Sequence, residues 1–276
     1  MNGEHLGNDA HSRKEISPLG TIVIKIGGST MGNYDTTLED VVEIQRQGFH
    51  PVIVHGGGNA INEWMHRQGL RPRFVRGLRV TDPKSLDVVV SILSGLVNKN
   101  IVGSIQSLGG KAVGLSGVDG GMLQANLLDP ELGMVGKIVN VDTESLQSLL
   151  KINCVPVIAP IAIHVSDSSK FAGSLLNVNA DTVAGDIALA LGAKKIVFMT
   201  DVDGVLDSSR RLISRLTIKH ARGLIQSRVV DGGMIPKIEA CLKALEQLEK
   251  AHIVNGQKPH SLRNILDGQK LGTQIG

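Results

Sequence analysis

The chain has few aromatic residues, few cysteines and little net charge, and each of these shortages excludes a class of function. Aromatic residues make up 2% of the 276 residues, too few for the stacking platforms that bind single-stranded nucleic acid. The 29 basic and 26 acidic residues nearly balance, so we expect neither a nucleic-acid partner nor a membrane surface. Two cysteines, Cys154 and Cys241, are too few for a disulfide framework and lack CxxC spacing, which favours a reduced, cytoplasmic protein.

Long apolar runs and several familiar catalytic motifs are also missing. No uninterrupted apolar run approaches the roughly 18–20 residues of a membrane span. Residues 1–20 are polar and have no apolar core, so we predict a flexible leader rather than a secretory signal. The sequence contains no GxxxxGK[ST] loop, no GxGxxG at the start of a helix, no HExxH pair and neither the HRD nor the DFG motif of protein kinases. The commonest nucleotide and zinc motifs are therefore excluded.

What the chain does have is a lysine inside a short apolar run that is followed by glycines. The segment TIVIKI at 21–26 is rich in β-branched residues, which predicts a buried strand. It contains Lys25, and a cation in a buried strand is costly unless it meets an anion. Gly27, Gly28 and Ser29 follow directly, and successive N–H groups at such a turn can cradle phosphate oxygens. The alternative is a lysine that reaches solvent at the strand end before an ordinary glycine turn.

A second glycine cluster occurs in a similar setting. Residues 51–54 predict a strand, and His55 and three glycines at 56–58 separate it from a helix predicted over 59–68. A strand, glycines and a helix in this order direct unpaired N–H groups and the positive end of the helix dipole at an anion. Because the arrangement occurs twice, we interpret Gly57 and Gly58 as ligand-binding rather than as a flexible turn. We interpret His55 as structural, since no residue that would orient it as a base is identifiable.

Strand-like and helix-like segments alternate along the whole chain, which predicts an α/β fold with a mainly parallel sheet covered on both faces. Ligands of such sheets bind at the carboxyl ends of the strands. The further strands are predicted at 111–115, 155–159, 195–199 and 252–254, with hairpin or loop segments at 122–141 and 161–176 and an irregular segment at 74–82. The further helices are predicted at 36–48, 83–108, 143–152, 182–191, 218–226, 238–250 and 259–266.

Two lysines and one carboxylate are the candidates for the chemistry itself. Phosphoryl transfer depends mainly on positioning and charge neutralisation, so Lys25 and Lys237 could flank a transferring phosphoryl group. Asp181, at the start of a helix, could hold both lysines by charge pairing, although an acidic residue in a first turn is also ordinary. Arg79 suits bidentate capture of a carboxylate, although it could also be a surface arginine.

Nine short motifs complete the sequence evidence. They are VIKIGGS at 23–29, VHGGG at 54–58, GLRVTD at 77–82, VNKNIV at 97–102, GLSGVDG at 114–120, NVNAD at 177–181, TDVDGVL at 200–206, DGGMIPK at 231–237 and LGT at 271–273. In this order they resemble the amino-acid kinase family, and within it the branch that phosphorylates N-acetyl-L-glutamate. Any one motif alone is weak, whereas the set is specific and covers nearly all of the chain from Thr21 onward.

The resemblance implies a three-layer αβα sandwich in two lobes. Residues 21–165 would bind the acyl-amino acid and form a dimer interface, and residues 166–276 would bind ATP. The implied reaction is attack of the γ-carboxylate of N-acetyl-L-glutamate on the γ-phosphate of ATP, with Mg²⁺ held mainly by the nucleotide phosphates and no metal site made by the protein. Lys25 and Lys237 would stabilise the transferring group, and Asp181 would organise them.

The resemblance also assigns the binding residues. For Asn177 and Asn179, the residues alone are equally consistent with plain helix caps. The implied acceptor site consists of Gly57, Gly58, Arg79, Asn177 and Asn179. The implied ATP site consists of Gly27, Gly28, Ser29, Thr200, Asp201, Val202, Gly204, Leu206, Gly233 and Met234.

Three departures from the family pattern leave alternatives open. The segment between Gly28 and His55 is shorter than usual in this branch, as in relatives that phosphorylate carrier-protein-bound aminoadipate or glutamate. Val118 stands where the family commonly has a polar residue. The leader lacks the apolar-striped helix that interlocks dimers in arginine-inhibited hexamers, so we predict a homodimer without arginine feedback. The alternatives are a kinase for a carrier-bound acceptor and a non-catalytic ligand sensor, and the sensor is disfavoured because all three charged candidates are present.

Overall fold

The computed structural model describes residues 19–27, 36–165 and 173–276. The predictions for residues 1–18 of the leader, and for Gly28 and Ser29, lie outside these ranges. Within them the strands, in chain order, are β1 (Thr21–Ile26), β2 (His50–His55), β3 (Phe74–Val75), β4 (Leu78–Arg79), β5 (Ala112–Ser116), β6 (Leu123–Leu127), β7 (Gly136–Val141), β8 (Val155–Ala159), β9 (Ile161–His164), β10 (Leu175–Asn177), β11 (Lys195–Thr200), β12 (Arg215–Leu216), β13 (Ala251–Asn255) and β14 (Thr273–Ile275).

Helices connect most of these strands. In the same ranges they are α1 (Thr37–Arg46), α2 (Gly58–Arg67), α3 (Pro83–Val90), α4 (Asn98–Ser107), α5 (Glu144–Lys151), α6 (Ala180–Ala190), α7 (Ile218–Gln226), α8 (Met234–Ala244) and α9 (Ser261–Leu266). A π-helical segment at Ser91–Val97 joins α3 to α4. Short 3₁₀ turns occur at Asp119–Gly121 and Pro130–Leu132.

The central sheet has eight strands in the order β12-β14-β13-β11-β1-β2-β8-β5. Strand β1 lies in its interior and pairs in parallel with both β2 and β11. Strands β8 and β5 extend the parallel arrangement on one side and β13 on the other, whereas β14 is antiparallel to β13. The predicted mainly parallel sheet is therefore confirmed. Because parallel strands end at the same edge, the loops that follow β1, β2 and β11 lie side by side.

Helices cover both faces of this sheet. In β1, Ile22 and Ile24 belong to a buried cluster with side chains of α1, α3, α4 and α9. Val23, between them, belongs to a second cluster with side chains of α5, α6, α7 and α8. Successive strand side chains point to opposite faces, so a strand that is apolar on both faces must be buried between two helical layers. The αβα sandwich is thus confirmed.

A second sheet has four strands in the order β10-β9-β6-β7. Strands β6 and β7 form the antiparallel hairpin predicted for residues 122–141. Strands β9 and β10 are also antiparallel, and β10 ends at Asn177, three residues before α6 begins at Ala180. This sheet therefore delivers the NVNAD motif to the N-terminus of α6.

The long helix predicted from Pro83 is present as α3, the π-helical segment and α4. Asp82 caps it, since its Oδ1 accepts a hydrogen bond of 2.7 Å from the N–H of Ser85, and Pro83 takes the first helical position. In the part of the chain that the structure describes, Pro83–Ser107 is the one helical run that could span a membrane by length and composition. Its Ile101 and Ile105 are fully buried in the core of this fold.

Several details of the fold differ from the sequence predictions. The helix predicted over 238–250 runs instead from Met234 to Ala244. Pro236 lies in its first turn, where the N–H that proline lacks would have had no helical partner. The segment 74–82, predicted to be irregular, contains the hairpin β3–β4. These strands, like β12, have two residues each, too few for an alternating pattern to reveal them.

Candidate active site

Lys25 is the charged residue of β1 and lies one position before its carboxyl end. The register places it beside Val54 of β2 and Phe198 of β11, in the interior of the sheet. Its side chain is 8% exposed. A buried ammonium needs a compensating anion, and Asp181 supplies one. The structure therefore favours an ion-paired lysine over one that reaches solvent.

Asp181 joins Lys25 to Lys237. Its Oδ1 lies 2.9 Å from Nζ of Lys25, and its Oδ2 accepts a hydrogen bond of 3.2 Å from Nζ of Lys237. Lys237 also donates to the carbonyl oxygen of Gly233 at 3.2 Å. All three charged side chains are buried or nearly so. The structure thus brings together the three residues that the sequence analysis selected for the chemistry, and we call them the Lys–Asp–Lys cluster.

Two ammonium groups share one carboxylate in this cluster, which leaves one positive charge in excess. Burial alone would raise the pKa of Asp181, but the charges of Lys25 and Lys237 and their hydrogen bonds outweigh burial and hold this pKa below its usual value. Asp181 is therefore ionised at neutral pH. The excess positive charge, held away from bulk water, suits an anion such as a transferring phosphoryl group.

The N-terminus of α6 sets the position of Asp181. Asn179 is the N-cap, and its Oδ1 accepts hydrogen bonds from the N–H groups of Asp181 at 2.8 Å and Thr182 at 3.1 Å. A carboxylate in the first turn is also favoured by the helix dipole. Asn179 therefore has the capping role that the sequence left open, in addition to lining a cavity described below.

Close packing of α6 on α8 sets the position of Lys237. A Cβ atom on Gly185 of α6 would lie 3.0 Å from the carbonyl oxygen of Ala240 and 3.2 Å from its Cα. Such an approach leaves room for little more than a hydrogen at position 185. Lys237 lies in the first turn of α8, so the contact between the two helices brings its ammonium to Asp181.

A cavity of about 500 Å³ opens beside the cluster, and we call it the larger cavity. It lies at the carboxyl end of β11 and the N-terminus of α8, and Lys237 lines it. Gly27 does not line it, and its N–H bonds the carbonyl oxygen of Met199 at 3.2 Å. Seven residues predicted for the ATP site line the cavity, namely Thr200, Asp201, Val202, Gly204, Leu206, Gly233 and Met234.

Some residues of the larger cavity were not predicted from the sequence. Ser208, Arg210, Val229 and Val230 line it, although none belongs to a motif that the sequence analysis used. Two short segments contain them, and each adjoins a recognised motif, TDVDGVL at 200–206 or DGGMIPK at 231–237. This adjacency was the available signal, because the loops that extend a nucleotide motif often complete the pocket wall.

Gly204 is a position in this wall that requires glycine. Its φ is +146°, and a Cβ atom there would lie 2.6 Å from Oγ1 of Thr273. That oxygen accepts a hydrogen bond of 2.8 Å from the N–H of Val205 and donates one of 2.7 Å to the carbonyl oxygen of Ile213. Through these two hydrogen bonds, the LGT motif near the end of the chain holds the wall of the larger cavity in place.

A second cavity, of about 160 Å³, lies at the carboxyl end of β2, and we call it the smaller cavity. Ala180, the chain neighbour of Asp181, also lines it, so the Lys–Asp–Lys cluster adjoins both cavities. The turn of the β3–β4 hairpin also lies between the two cavities. Gly77 lines the smaller cavity, and a Cβ atom on it would lie 4.0 Å from the backbone of Gly232, the chain neighbour of Gly233 in the larger cavity. All five predicted acceptor residues line this cavity, namely Gly57, Gly58, Arg79, Asn177 and Asn179.

Arg79 is a buried cation at the smaller cavity. Nη2 donates a hydrogen bond of 2.6 Å to Oδ1 of Asn62, and the guanidinium lies 4.8 Å from the centroid of the Phe74 ring. Burial lowers its pKa from the ordinary value, although a guanidinium remains charged at any physiological pH. Within the described ranges no carboxylate forms an ion pair with it. A buried cation without an anionic partner suits an anionic ligand.

The glycines and Asn177 complete the smaller cavity. Gly57 is the N-cap of α2 and Gly58 its first residue, so their N–H groups have no partner inside the helix. Position 57 has no room for a side chain, since a Cβ atom would lie 2.7 Å from Cδ2 of Leu93. Nδ2 of Asn177 donates to Oγ1 of Thr81 at 3.1 Å, which orients the amide. The cavity therefore offers backbone donors, a cation and an amide to one ligand.

Two other expectations concern metals and His55. The described parts of the chain contain no group of three or more His, Cys, Asp or Glu side chains that could hold a metal ion. His55 is fully buried and hydrogen-bonded, and it lines neither cavity. These contacts agree with the interpretation of His55 as structural.

Comparison with known proteins places the chain in a family. The model of the amino acid kinase family matches residues 20–255, and the chain belongs to this family. An acetylglutamate kinase from Caldanaerobacter subterraneus subsp. tengcongensis is 45% identical, covering 93% of this chain and 87% of that protein. One from Dehalococcoides mccartyi is 41% identical, covering 92% and 93%. The solved structure of smu.665 from Streptococcus mutans UA159 matches with a TM-score of 0.80 and 30% identity, covering 92% and 98%.

Proposed function

We propose that the protein is an acetylglutamate kinase, which transfers the γ-phosphoryl group of ATP to the side-chain carboxylate of N-acetyl-L-glutamate. The products are N-acetyl-L-glutamyl 5-phosphate and ADP, in a step of arginine and ornithine biosynthesis. The observation that carries the proposal is the Lys–Asp–Lys cluster adjoining both cavities. The relatives that bear this name, at 41–45% identity over most of the chain, support the choice of acceptor.

The reaction needs little covalent help from the protein. A γ-carboxylate oxygen forms a bond to the γ-phosphorus, and the bond from that phosphorus to the β,γ-bridging oxygen breaks. The nucleophile is already an anion, so no general base is required. Negative charge accumulates on the transferring group, and the ammonium groups of Lys25 and Lys237 lie where they can stabilise it. Asp181 holds both lysines in place and keeps the net charge of the cluster at one positive unit.

The smaller cavity is proposed to hold the acceptor. Arg79 would pair with the α-carboxylate, and Asn177 and Asn179 would contact the acetamido end of the molecule. The N–H groups of Gly57 and Gly58 would bind the reacting carboxylate and the transferring group. The cavity contains donors for both negative ends of an acyl-amino acid, which is what an acceptor with two carboxylates requires.

The larger cavity is proposed to hold ATP. The N-terminus of α8, with Gly233 and Met234, would face the phosphates, and Lys237 would reach the γ-phosphate from the same turn. Both carboxylate oxygens of Asp181 are engaged by lysines, so this residue is a poor ligand for a metal ion. We propose that Mg²⁺ enters with ATP and is held mainly by the phosphates, whose charge it partly neutralises.

Two alternatives are separated by experiment. A kinase for carrier-bound aminoadipate or glutamate is suggested by the short segment between Gly28 and His55, of which residues 29–35 lie outside the described ranges. A non-catalytic sensor would share the fold, but it would have no need of the Lys–Asp–Lys cluster.

The decisive experiment is ATP-dependent formation of an acyl phosphate, trapped as its hydroxamate. The acceptors to compare are N-acetyl-L-glutamate, L-glutamate, L-aspartate and N-acetyl-L-aspartate. We expect a strong signal with N-acetyl-L-glutamate alone. Silence with all four acceptors while ATP still binds would overturn the proposal and favour a carrier-bound acceptor or a sensor.

The homodimer, the cytoplasmic location and the two-lobe division at residue 165 stay predictions. Light scattering on the purified full chain tests the first, and a hexamer would contradict it. Inhibition by micromolar arginine would contradict the predicted absence of feedback.

A further inference from the structure

His55 and Asn98 form a buried contact that has no place in the proposed reaction. Both residues are 0% exposed, and 43 positions separate them in the chain. Nδ2 of Asn98 lies 3.1 Å from Nε2 of His55. His55 ends β2 and directly precedes the glycines of the smaller cavity, and Asn98 belongs to the VNKNIV motif, to which no role was assigned. Two fully buried polar side chains that bond each other beside a glycine loop call for an explanation.

The neighbours of Asn98 determine how its amide is oriented. Nδ2 donates a hydrogen bond of 2.8 Å to the carbonyl oxygen of Val157 and lies 3.3 Å from that of Leu115. Oδ1 accepts from Nζ of Lys99 at 3.0 Å. A carbonyl oxygen only accepts and an ammonium only donates, so Nδ2 must face the two carbonyl oxygens and Oδ1 must face Lys99. In that orientation Asn98 presents an N–H to His55.

This orientation determines the tautomer of His55. Nε2 accepts the hydrogen bond from Asn98, so the ring proton must be on Nδ1. Nδ1 lies 3.0 Å from the carbonyl oxygen of Gly56, to which it donates. Burial, assisted by the charges of Lys25 and Lys99, lowers the pKa of His55 to about 4 against the opposing effect of the Gly56 bond. The ring is therefore neutral at neutral pH, with Nδ1 as its donor and Nε2 as its acceptor.

The bond to Gly56 also orients the next residue. The N–H of Gly56 donates to the carbonyl oxygen of Ile26 at 2.9 Å, so Gly56 is held through both its backbone groups. In a planar trans peptide the carbonyl of one residue and the N–H of the next point in opposite directions. Drawing the Gly56 carbonyl toward His55 therefore turns the N–H of Gly57 away from His55. Gly57 lines the smaller cavity.

The π-helical segment Ser91–Val97 supports the same loop from a second direction. Its Leu93 leaves no space for a side chain on Gly57, and Asn98 follows directly after its last residue. Strand β5 leaves space for the Asn98 amide by having glycine at position 114, where a Cβ atom would lie 1.9 Å from Oδ1 of Asn98. One irregular helical turn thus packs on the glycine loop and places the amide that fixes His55. π-Helical turns inside α-helices frequently mark functional sites.

We propose that His55 and Asn98 are positioning residues, which fix the peptide between Gly56 and Gly57 so that the Gly57 N–H is presented to the reacting group. The inference rests on the proposed function, because that function assigns an anion to the Gly57 N–H. His55 touches neither substrate and acts through the backbone. Asn98 acts through His55, whose tautomer it selects.

Two substitutions of His55 separate positioning from general structural support. In His55→Asn the amide nitrogen replaces Nδ1 and can still donate to the Gly56 carbonyl. In His55→Gln the amide reaches the place of Nε2, and the donor to Gly56 is lost. We expect His55→Gln to lower kcat on the order of 10²-fold with an unchanged KM for ATP, whereas His55→Asn keeps kcat within a few-fold of wild type. Equal kcat values for two folded variants would overturn the proposal.

A measurement on the wild-type chain without substrates covers the case in which variants fail to fold. Nitrogen-15 NMR of labelled histidine distinguishes the two neutral tautomers, and the His55 signals are those lost in His55→Asn. If that variant does not fold, they are the signals that resist protonation down to about pH 4 and persist in His252→Gln, because burial lowers the pKa of His252 to about 4 as well. We expect the Nδ1–H form, and its reversal in Asn98→Asp, whose carboxylate would accept from Nε2. An Nε2–H form in wild type would overturn the proposal. Absence of acyl phosphate with the Nδ1–H form present would instead refute the proposed function.

Discussion

Lys237 donates a hydrogen bond of 3.2 Å to Asp181, although 56 positions separate the two residues in the chain. Each lies in the first turn of its helix, and the contact between Gly185 and Ala240 holds the two helices together behind them. Helix packing, rather than a loop, therefore sets the position of this ammonium. A site built on rigid elements keeps its geometry better than one built on loops.

Removal of either lysine of the cluster is expected to lower turnover strongly. Lys25→Ala and Lys237→Ala should each reduce kcat by about 10²–10³-fold, because each removes a charged donor that is already in place for the transition state. The measurement is steady-state kinetics of acyl phosphate formation, and the control is Lys219→Ala, at an exposed position of α7. Near-normal turnover in Lys25→Ala would contradict the role given to Lys25.

Asp181 and Asp186, both buried on α6, are expected to change stability with pH in opposite directions. The pKa of Asp181 is held below its ordinary 3.8, so the unfolding free energy should rise as pH rises toward that value. Burial raises the pKa of Asp186 despite its pairing with Lys243, so its contribution should fall as pH rises above 3.8. In urea unfolding from pH 3 to 6, Asp181→Asn should abolish a rise of the unfolding free energy with pH, and Asp186→Asn should abolish a fall. Effects of the same sign would contradict the assignment.

Replacement of Arg79 by lysine is expected to weaken binding of the acceptor specifically. Lysine keeps the charge but loses the planar fork and the stacking on Phe74. A lost charge-assisted bond of about 1.5–3 kcal/mol corresponds to roughly a tenfold to hundredfold rise in KM for N-acetyl-L-glutamate. The KM for ATP should not change, and Arg67→Lys at an exposed position of α2 should leave both constants near wild type. Equal rises in both KM values would contradict the assignment of Arg79 to the acceptor site.

Two glycine-to-alanine changes are expected to have opposite effects. Gly204→Ala puts a side chain at a φ of +146° and against Thr273, so we expect a loss of about 1–3 kcal/mol in stability and a raised KM for ATP. Gly223→Ala lies on α7, where a Cβ atom would meet nothing within 4 Å, and should add about 0.5–1 kcal/mol. Chemical denaturation measures both. A stabilised Gly204→Ala protein would refute the strain argument.

The parts of the fold that local pattern determines could be predicted from the sequence. The β-branched run around Lys25 and the proline that opens α3 indicated elements that the structure contains. The capping of that helix by Asp82 is confirmed by its bond to Ser85. Such features depend on residues within a few positions of one another, so the sequence displays them directly.

The remaining features depend on contacts between distant residues. The bond between Asn98 and His55, and the close approach of Gly185 to Ala240, join elements whose packing no local pattern reveals. The π-helical segment was not predicted, because its apolar side chains also fit an α-helix. The roles of Arg79 and Asn177 came from the family resemblance, since an isolated arginine or asparagine carries no signal of the cavity that it lines.

The central claim is that the side-chain carboxylate of N-acetyl-L-glutamate attacks the γ-phosphorus of ATP at the Lys–Asp–Lys cluster. The direct measurement uses N-acetyl-L-glutamate labelled with ¹⁸O in its γ-carboxylate, followed by hydroxylamine and mass analysis of the phosphate released. If the carboxylate attacks phosphorus, the phosphate released with the wild-type enzyme carries one ¹⁸O atom, and Lys25→Ala forms little of it. Unlabelled phosphate, or no phosphate beyond that formed from ATP alone, would contradict the claim.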